Sequence, residues 1–347
     1  FSSLRKVIST YMQKRSCFCQ PSEIMVLSGS QQGIDLITRA FINPGDLILI
    51  EEPSFFPAIQ SFRAAGAKIM AVPMENDGMD MEILEQLLSR YRPKFLYTMP
   101  AYHNPTGICM SLAKRIRLLE LVNKYGIPVL EDDPYGELYF EGQPLSPLKS
   151  MDKNGDVMYL STFSKTISPG LRLGWICTGK KLIHQLCNIR QLADLHSNCI
   201  SQQVVERFIV SGGMADYLTL IRREYKERRD IMAEALDRYA PPGLSWNIPT
   251  GGYYLWCTLP EGVSAEALAQ KAAAGGVAIL PGMPSYLVTR KGEAHVRLNY
   301  TFPAKNRISE GIRLLCEAIR ELLRLSKRRG PLKMKSTLSY KEHRHGI

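Results

Sequence analysis

Short apolar runs alternate with longer amphipathic stretches along residues 23–212. The apolar runs have the composition of buried strands, and the amphipathic stretches have the spacing of helices that pack on one face. Strands that alternate with helices usually form a mostly parallel sheet with the helices wrapped around it. The pattern therefore predicts an α/β domain over this part of the chain.

The pattern changes after residue 212. One long, charged amphipathic helix is predicted over residues 215–239, and Pro241-Pro242-Gly243 ends it. We interpret this helix as the spine that joins a large lobe to a small one. Beyond it, a smaller α+β domain is predicted from a helix over residues 308–325 and from short strands around Tyr253, Val277 and Val296.

We expect four parts in this chain. They are a remnant of an N-terminal segment (1–20), a large domain (21–225), a small C-terminal domain (226–326) and a basic, disordered tail (327–347). Residues 326–347 hold seven Lys or Arg residues and one Glu, so they carry +6 of the total net charge of +11. A basic end of this kind is usually solvated, and contact with nucleic acid is the less favoured interpretation.

Composition excludes several classes of protein without choosing a function. The 347 residues are 45% hydrophobic, which suits two lobes with ample cores. No apolar run reaches the roughly 18 residues of a membrane span, and the first six residues lack the apolar segment of a secretory signal. The eight cysteines show no paired spacing, which is typical of reduced thiols. We expect a cytoplasmic protein with no membrane contact and no metal.

Lys165 lies in a segment with unusual chemistry, Ser161 to Arg172, directly after a strand-like run. A free lysine has a pKa of roughly 10.4, so covalent work at neutral pH needs an aldehyde partner or a desolvated pocket. Pyridoxal 5′-phosphate (PLP) carries both an aldehyde and a phosphate. Hydroxyls and a fork-shaped cation that suit a phosphate lie nearby, at Thr162, Ser164, Ser168 and Arg172. The alternative is a solvated surface lysine.

Three other segments place polar residues directly after strand-like runs. Asp132 and Tyr135 follow one strand, Asn104 follows another, and residues 28–36 form a strand-to-helix turn that suits a phosphate. A carboxylate can hold a pyridine nitrogen protonated, and a phenol or an amide can bind the ring's 3′-oxygen. Taken singly, each segment is also an ordinary turn or N-cap. Their joint occurrence favours a ligand crevice at the carboxyl edge of the sheet.

Together these motifs resemble the fold-type I, PLP-dependent class I/II aminotransferases, over about residues 4–325. The resemblance implies a large domain with a mostly parallel sheet and a smaller α+β C-terminal domain. It makes Lys165 the Schiff-base lysine, Asp132 the partner of the pyridine nitrogen, and Tyr135 and Asn104 the ligands of the 3′-oxygen. Phosphate-binding positions fall at or beside Ser30, Gln31, Thr162, Ser164 and Arg172.

Two further segments match the same family. Arg297 alternates with apolar neighbours and matches the arginine that binds the substrate α-carboxylate. Phe55 matches the aromatic ring that stacks on the cofactor, although a plain core phenylalanine is an equal alternative. Residues 250–256 resemble a glycine-aromatic segment of the small domain, and we expect Tyr253 and Tyr254 to be core residues rather than substrate contacts.

The resemblance also implies a reaction. An L-amino acid gives its amino group to the cofactor and leaves as a 2-oxo acid, and a second oxo acid then reverses these steps. Lys165, Asp132 and Tyr135 are the expected catalytic residues, and Arg297 with Asn104 the expected substrate-binding residues. A homodimer is expected by resemblance only. The sequence names no residue that fixes the substrate side chain.

The start of the chain departs from the family pattern. It opens within what looks like the Gly-X-X-X-Leu-Arg segment, so we expect the arm that precedes this segment in the family to be absent. The alternative function lies in the same stretch. MocR-type transcription regulators of the GntR family fuse a winged-helix domain to this aminotransferase fold, and residues 239–246 resemble them. Nucleic acid is an expected partner only if such an upstream domain exists.

Overall fold

The computed structural model describes residues 1–329. Its helices are α1 (Ser2–Gln13), α2 (Ser30–Phe41), α3 (Phe56–Ala64), α4 (Met81–Arg90), α5 (Leu112–Tyr125), α6 (Leu148–Met151), α7 (Lys180–Gln191), α8 (Cys199–Val210), α9 (Gly213–Tyr239), α10 (Ala265–Ala274) and α11 (Lys305–Arg329). Short 3-10 helices cover Pro21–Glu23, Pro169–Leu171, Met283–Ser285 and Thr289–Ala294.

The strands belong to two sheets. They are β1 (Ile24–Leu27), β2 (Leu47–Glu52), β3 (Lys68–Glu75), β4 (Gly78–Met79), β5 (Leu96–Thr98), β6 (Val129–Asp132), β7 (Val157–Thr162), β8 (Gly174–Cys177), β9 (Ser245–Trp246), β10 (Tyr254–Thr258), β11 (Leu280–Pro281) and β12 (His295–Asn299). The large sheet has the order β1-β8-β7-β6-β5-β2-β3-β4, and the small sheet has the order β11-β12-β10-β9.

The large sheet is mostly parallel, because its five middle strands, from β7 to β3, run in one direction. β8 runs antiparallel to both of its neighbours, and β4 pairs antiparallel with β3. Both faces are buried, since successive residues of a strand enter different cores: Leu130 packs in one and Val129 in the other. The predicted α/β fold with a mostly parallel, helix-wrapped sheet is confirmed.

The small sheet is antiparallel and covers a core of its own. Leu255, Cys257, Val296 and Leu298 enter this core, together with side chains of α10 and α11. Helix α9 gives Leu218 to the large core and Met232 to the small one, so a single helix runs through both. This agrees with the predicted spine.

Two predicted elements differ from the structure. No strand lies at Val277, whose backbone N–H instead bonds Ala272 O beyond the end of α10, and the strand begins three residues later at Leu280. Gly276 has a φ of +80°, which ends the helix in the left-handed region. The last helix is longer than the predicted 308–325 and reaches Arg329. The rest of the predicted tail lies outside the described residues.

Within residues 1–329, no helix combines the length and the apolar character that a membrane crossing requires.

Candidate active site

The predicted site residues follow strand ends that meet at one edge of the large sheet. β5, β6 and β7 are parallel neighbours, so the segments that follow them emerge on the same side. β1 ends and β8 begins at this edge as well, because Gly174 pairs with both Leu27 and Thr162. The fold thereby brings four separate segments of the chain together at the carboxyl edge, where open α/β sheets bind their ligands.

Asp132 is a buried carboxylate with one oxygen unpaired. It is 1% exposed, and its Oδ2 accepts a hydrogen bond of 2.8 Å from the hydroxyl of Tyr97 on β5. Its Oδ1 is buried and has no hydrogen-bond partner among the described residues. Burial raises the pKa of Asp132 to about 7, and the negative charge of Asp133 adds to this, while the hydrogen bond from Tyr97 opposes it. A protonated ring nitrogen would supply the missing donor and a compensating positive charge.

Lys165 lies in a tight turn directly after β7. The turn is closed by a hydrogen bond of 2.8 Å from Ile167 N to Phe163 O, and the Phe163 ring packs against Trp175 at 4.6 Å. The Tyr253 hydroxyl donates to Lys165 O at 3.1 Å, and Lys165 Nζ lies 5.4 Å from the centre of the Tyr253 ring. The lysine is thus held by a well-packed turn of the large domain and by an aromatic residue of the small-domain segment.

The hydroxyls of Thr162 and Ser164 help to build this turn. Thr162 Oγ1 lies 2.9 Å from Leu173 O and 3.0 Å from Ser164 Oγ, and it accepts a hydrogen bond of 3.1 Å from Ser164 N. These contacts tie the turn of Lys165 to the start of β8. A role of either hydroxyl in binding phosphate stays a prediction.

Gly29, Ser30 and Arg172 form a polar cradle at the start of α2. Gly29 has a φ of +92°, and a Cβ at this position would lie 2.8 Å from Arg172 Nη2, so the guanidinium is packed on the glycine. Arg172 is exposed and also contacts Ser28 O at 3.5 Å. Ser30 is the first residue of α2, where unpaired backbone N–H groups and the positive end of the helix dipole suit an anion.

The side chain of Gln31, also a predicted phosphate ligand, has another partner. Its Nε2 donates a hydrogen bond of 3.0 Å to the Ser61 hydroxyl on α3. Its backbone N–H remains one of the first-turn donors of α2. The sequence pattern could not distinguish the side chain from the backbone group.

Asn104 and Arg297 are in direct contact, although they belong to different domains. Arg297 Nη1 donates a hydrogen bond of 2.7 Å to Asn104 Oδ1, and the guanidinium carbon lies 3.9 Å from the centre of the Tyr254 ring. Arg297 Nε is buried and unpaired among the described residues. The half-buried arginine inferred from the sequence is therefore present, with hydrogen-bonding capacity left for a carboxylate.

Tyr135 and Phe55 lie at the same edge of the large sheet. Tyr135 contacts another residue of the site, whereas Phe55 contacts its neighbour in the chain. Tyr135 is 2% exposed, and its hydroxyl lies 3.4 Å from that of Tyr254. Phe55 is half-buried at the start of α3, beyond the end of β2, with its ring centre 6.2 Å from that of Phe56. Its aromatic contact is with a neighbour rather than with Lys165 or Asp132, so its stacking role stays a prediction.

Sequence reasoning missed Tyr97 and gave Tyr254 an incomplete interpretation. Tyr97 is an apolar-strand residue by pattern, and only the pairing of β5 with β6 reveals its contact with Asp132. Tyr254 is buried, as expected, but it packs against Arg297 and Tyr135 rather than in the small-domain core. Strand alternation is the signal that could have found it, because Leu255 enters the core and Tyr254 must face the other way.

A buried ion pair supports the turn that carries Tyr135. Asp133 Oδ1 accepts a hydrogen bond of 2.8 Å from Gly136 N, and Oδ2 accepts one of 2.6 Å from Arg15 and one of 2.9 Å from the Tyr159 hydroxyl. Burial of Asp133 is therefore compensated by three hydrogen bonds from three separate segments of the chain. Sequence reasoning did not single out Arg15 either.

These residues fit pyridoxal phosphate. The unpaired Oδ1 of Asp132 suits the ring nitrogen, the cradle of Gly29, Ser30 and Arg172 suits the phosphate, and Lys165 supplies an amine for the aldehyde. In residues 1–329, no group of three or more His, Cys, Asp or Glu side chains could hold a metal ion.

Comparison with known proteins shows the family. The family model described as aminotransferase class I and II matches residues 2–315. The chain therefore belongs to the class I and II aminotransferases, and it is a PLP-dependent aminotransferase of fold type I.

Three proteins similar to this chain illustrate the range of the family. An aromatic-amino-acid aminotransferase of Thermococcus litoralis is 38% identical over 92% of this chain and 78% of the relative. The crystal structure of LysN, an α-aminoadipate aminotransferase from Thermus thermophilus complexed with N-(5′-phosphopyridoxyl)-L-leucine, superposes with a TM-score of 0.89, at 36% identity over 94% of this chain and 82% of that one. An uncharacterized HTH-type transcriptional regulator of Bacillus subtilis is 33% identical over 92% of this chain and 66% of its own length.

Proposed function

We propose that this chain moves the amino group of an L-amino acid to a 2-oxo acid and that Lys165 binds the cofactor and moves the proton. The observation that carries the proposal is the position of Asp132. Its unpaired, buried oxygen lies at the end of β6, and Lys165 follows the end of the neighbouring strand β7. The Asp132 carboxylate, which suits a ring nitrogen, and the Lys165 amine, which suits an aldehyde, thus lie at the ends of adjacent strands.

The other residues would hold the cofactor in place. Asp132 keeps the ring nitrogen protonated, and Tyr135 and Asn104 bind the 3′-oxygen. The phosphate is bound by Ser30, Gln31, Thr162, Ser164 and Arg172. Ser30 and Gln31 bind it through backbone N–H groups of α2. Phe55 covers the face of the ring. When bound, the cofactor supplies an aldehyde for the amine and a ring that withdraws electrons from the substrate Cα.

Lys165 and Arg297 would act on the substrate. Arg297 binds the α-carboxylate and so fixes which bond at Cα lies in position to break. Lys165 Nζ accepts the proton from Cα, because its amine is free once the amino acid has taken its place. The 2-oxo acid then leaves, and the same residues act in reverse order on a second 2-oxo acid, which gives a ping-pong sequence.

Substrates of similar enzymes provide the first candidates. The relatives named above act on aromatic amino acids and on α-aminoadipate. We propose that this chain accepts L-amino acids with side chains of this size. Its α-carboxylate contact, Arg297, does not discriminate between them.

A homodimer is supported by exposed apolar side chains after α7 and at the start of α8. Leu192 is 91% exposed, Leu195 is 70% exposed and Ile200 is 73% exposed, and such neighbouring apolar residues are typical of an interface. A cytoplasmic location is supported by the cysteines, since all eight are free. We retain the division into a large domain to residue 225 and a small one from residue 226.

The experiment compares absorbance spectra of the purified chain with added PLP, for wild type, Lys165→Ala and the surface control Lys68→Ala. Wild type and the control are expected to show the band of lysine-bound cofactor, and Lys165→Ala is expected to lack it. A panel of L-amino acids that includes phenylalanine and 2-aminoadipate should then change the band and release 2-oxo acid. A band that persists in Lys165→Ala would show that another residue binds the cofactor.

The effector domain of a MocR-type regulator is the second candidate. The specific observation in its favour is the 33% identity to the Bacillus subtilis regulator. The same spectra distinguish the two functions. A regulator domain would bind PLP and change its band with an amino acid without releasing an oxo acid, whereas an aminotransferase releases it on every half-turnover.

A further inference from the structure

Tyr254 lies between Arg297, the proposed ligand of the substrate carboxylate, and Tyr135, the proposed ligand of the cofactor 3′-oxygen. It is 7% exposed and occupies the first position of β10, on the sheet face opposite Leu255 and the small-domain core. β12 pairs with β10 so that Arg297 is opposite Trp256, which places Arg297 and Tyr254 on the same face. The pairing of two strands thus brings the ring and the guanidinium together.

The ring of Tyr254 forms a platform for Arg297. The guanidinium carbon lies 3.9 Å from the ring centre, well within the distance of a cation–π contact. On its other side, Arg297 Nη1 bonds Asn104 Oδ1 at 2.7 Å. The arginine is therefore held between an aromatic face and an amide, which fixes the direction of its remaining N–H groups.

The hydroxyl of Tyr254 reaches a different residue. It lies 3.4 Å from the hydroxyl of Tyr135, and the two rings meet edge to face, with centres 5.9 Å apart and planes at 81°. Burial raises the pKa of Tyr135, so this phenol stays protonated over the working range of pH. In this contact the Tyr135 hydroxyl donates and Tyr254 Oη accepts, so the Tyr254 hydroxyl sets the direction of the Tyr135 proton.

The backbone of Tyr254 contacts a third functional segment. A Cβ at Gly107, in the loop that carries Asn104, would lie 2.7 Å from Tyr254 O. Gly107 also has a φ of +71°, so both the close approach and the backbone conformation favour glycine. Three segments of the site therefore meet at one residue.

We propose that Tyr254 is a positioning residue with two separable actions: its ring orients Arg297 toward the substrate carboxylate, and its hydroxyl accepts the Tyr135 proton in a hydrogen bond and so limits how strongly Tyr135 donates to the cofactor. The inference rests on the proposed roles of Arg297 and Tyr135. It predicts that the two actions can be removed one at a time, since phenylalanine keeps the ring and leucine keeps neither group.

The test uses the full chain loaded with PLP, as wild type, Tyr254→Phe, Tyr254→Leu and the surface control Tyr91→Phe. One readout is the pH midpoint of the absorbance change of the bound cofactor. The other is the dissociation constant of an α-methyl amino acid, which cannot lose an α-proton and so reports binding without turnover. Circular dichroism and thermal melting show whether each variant is folded.

Tyr254→Phe is expected to lower the pH midpoint, because Tyr135 can then donate to the cofactor 3′-oxygen alone and stabilises its anionic form. It should leave the affinity for the analogue within about twofold, because the platform remains. Tyr254→Leu is expected to lower the midpoint similarly and to weaken binding of the analogue by roughly 2- to 30-fold, the range of exposed to desolvated cation–π contacts. The control should match wild type in both readouts.

The inference is overturned if Tyr254→Phe, folded and loaded, titrates as wild type does, or if both variants lose analogue affinity equally. Either result would reduce Tyr254 to a packing residue while leaving the proposed function intact. If wild type itself binds no PLP, or if Lys165→Ala keeps the wild-type band, the proposed function fails and the inference fails with it. If Tyr254→Leu does not fold, Tyr254→Phe still tests the action of the hydroxyl. The action of the ring on Arg297 is then tested by measuring the affinity of Arg297→Lys for the analogue. An affinity equal to that of wild type would overturn this action.

Discussion

The hydroxyl of Tyr97 donates a hydrogen bond of 2.8 Å to Oδ2 of Asp132, while Oδ1 of the same carboxylate is left without a partner among the described residues. The two residues lie on neighbouring parallel strands, in which Tyr97 pairs with Leu130 and Thr98 with Glu131. Both side chains are buried. The fold thus provides a hydrogen-bond donor for one oxygen of the buried carboxylate and leaves the other oxygen for a ligand.

Tyr97→Phe is expected to weaken PLP binding by roughly 10- to 150-fold, because a hydrogen bond to a charged group is worth about 1.5–3 kcal/mol. The loss also favours the protonated carboxyl, which cannot pair with a protonated ring nitrogen. Fluorescence titration of the apoprotein with PLP at neutral pH measures the change. Tyr125→Phe, a change at the half-buried last residue of α5, serves as the control. Equal dissociation constants for wild type and Tyr97→Phe would mean that Asp132 does not need this donor.

Without cofactor, the chain should lose stability as the pH rises from about 4 to about 7. Burial raises the pKa of Asp132 from 3.8 to about 7 and that of Glu131 from 4.5 to about 7. In this window the folded state holds protons that the unfolded state has lost, so the free energy of unfolding falls with pH. The cost of ionising Asp132 approaches about 4 kcal/mol above its folded pKa, at about 1.4 kcal/mol per pKa unit.

Urea unfolding of apoprotein at several pH values measures this slope. Asp132→Asn should reduce the slope, and the exposed control Asp237→Asn should not. A free energy of unfolding that rises across this pH range in wild type would contradict the burial of two protonated carboxyls.

Much of the site could be predicted because its residues follow strand ends. Lys165, Asp132 and Asn104 lie at or shortly beyond the ends of apolar strands, and parallel strands bring such segments to one edge of a sheet. The same rule anticipated the α/β fold. It required only the apolar pattern and the polar residue that follows it.

The contacts between strands could not be predicted in this way. The partners of Tyr97, Arg15 and Tyr254 lie on other elements, and their identity depends on strand register and on the packing of α1. A register shift of one residue would turn Tyr254 into the core, and the sequence does not fix the register. The strand expected at Val277 is absent for a local reason, since Gly275 and Gly276 end α10 and the Val277 N–H bonds Ala272 O.

Arg297→Lys is expected to raise KM for the amino acid by roughly tenfold or more, with a smaller effect on kcat. Lysine keeps the charge but loses the planar fork that contacts Asn104, the Tyr254 ring and a carboxylate together. Steady-state kinetics with two amino acids of different side chain measures the effect, which should be similar for both. The exposed Arg290→Lys is the matched control. A change in kcat alone would assign Arg297 to the chemical step rather than to binding.

Arg15→Met should destabilise the chain by about 3–5 kcal/mol, because it leaves the buried Asp133 carboxylate without its cation. Adding Asp133→Asn should recover part of this loss, since the uncompensated charge is then removed. Arg39→Met is the control: its pair with Asp35 is exposed, and such pairs contribute less than about 1 kcal/mol. Urea unfolding at constant pH measures all four chains. A double variant no more stable than Arg15→Met would show that packing, rather than charge, explains the effect.

Gly29→Ala and Gly45→Ala form a matched pair of variants. Comparing them separates an effect on the polar cradle from the effect of backbone strain. The φ angles are almost equal, +92° and +91°, so a Cβ strains both positions, at about 1 kcal/mol or more each. Only at Gly29 would the Cβ meet a neighbour, Arg172 Nη2 at 2.8 Å, while at Gly45 nothing lies within 4 Å. Both variants should therefore lose similar stability, but only Gly29→Ala should displace the guanidinium from the start of α2.

The expected result is a loss of PLP affinity of roughly tenfold for Gly29→Ala, the value of one charge-assisted hydrogen bond, with little change for Gly45→Ala. Titration with inorganic phosphate, which competes with PLP only through the cradle, separates this loss from effects on the ring. Phosphate should compete less well in Gly29→Ala than in wild type. If the two glycine variants bind PLP equally, strain alone accounts for the change and Arg172 does not bind the phosphate from its position beside Gly29.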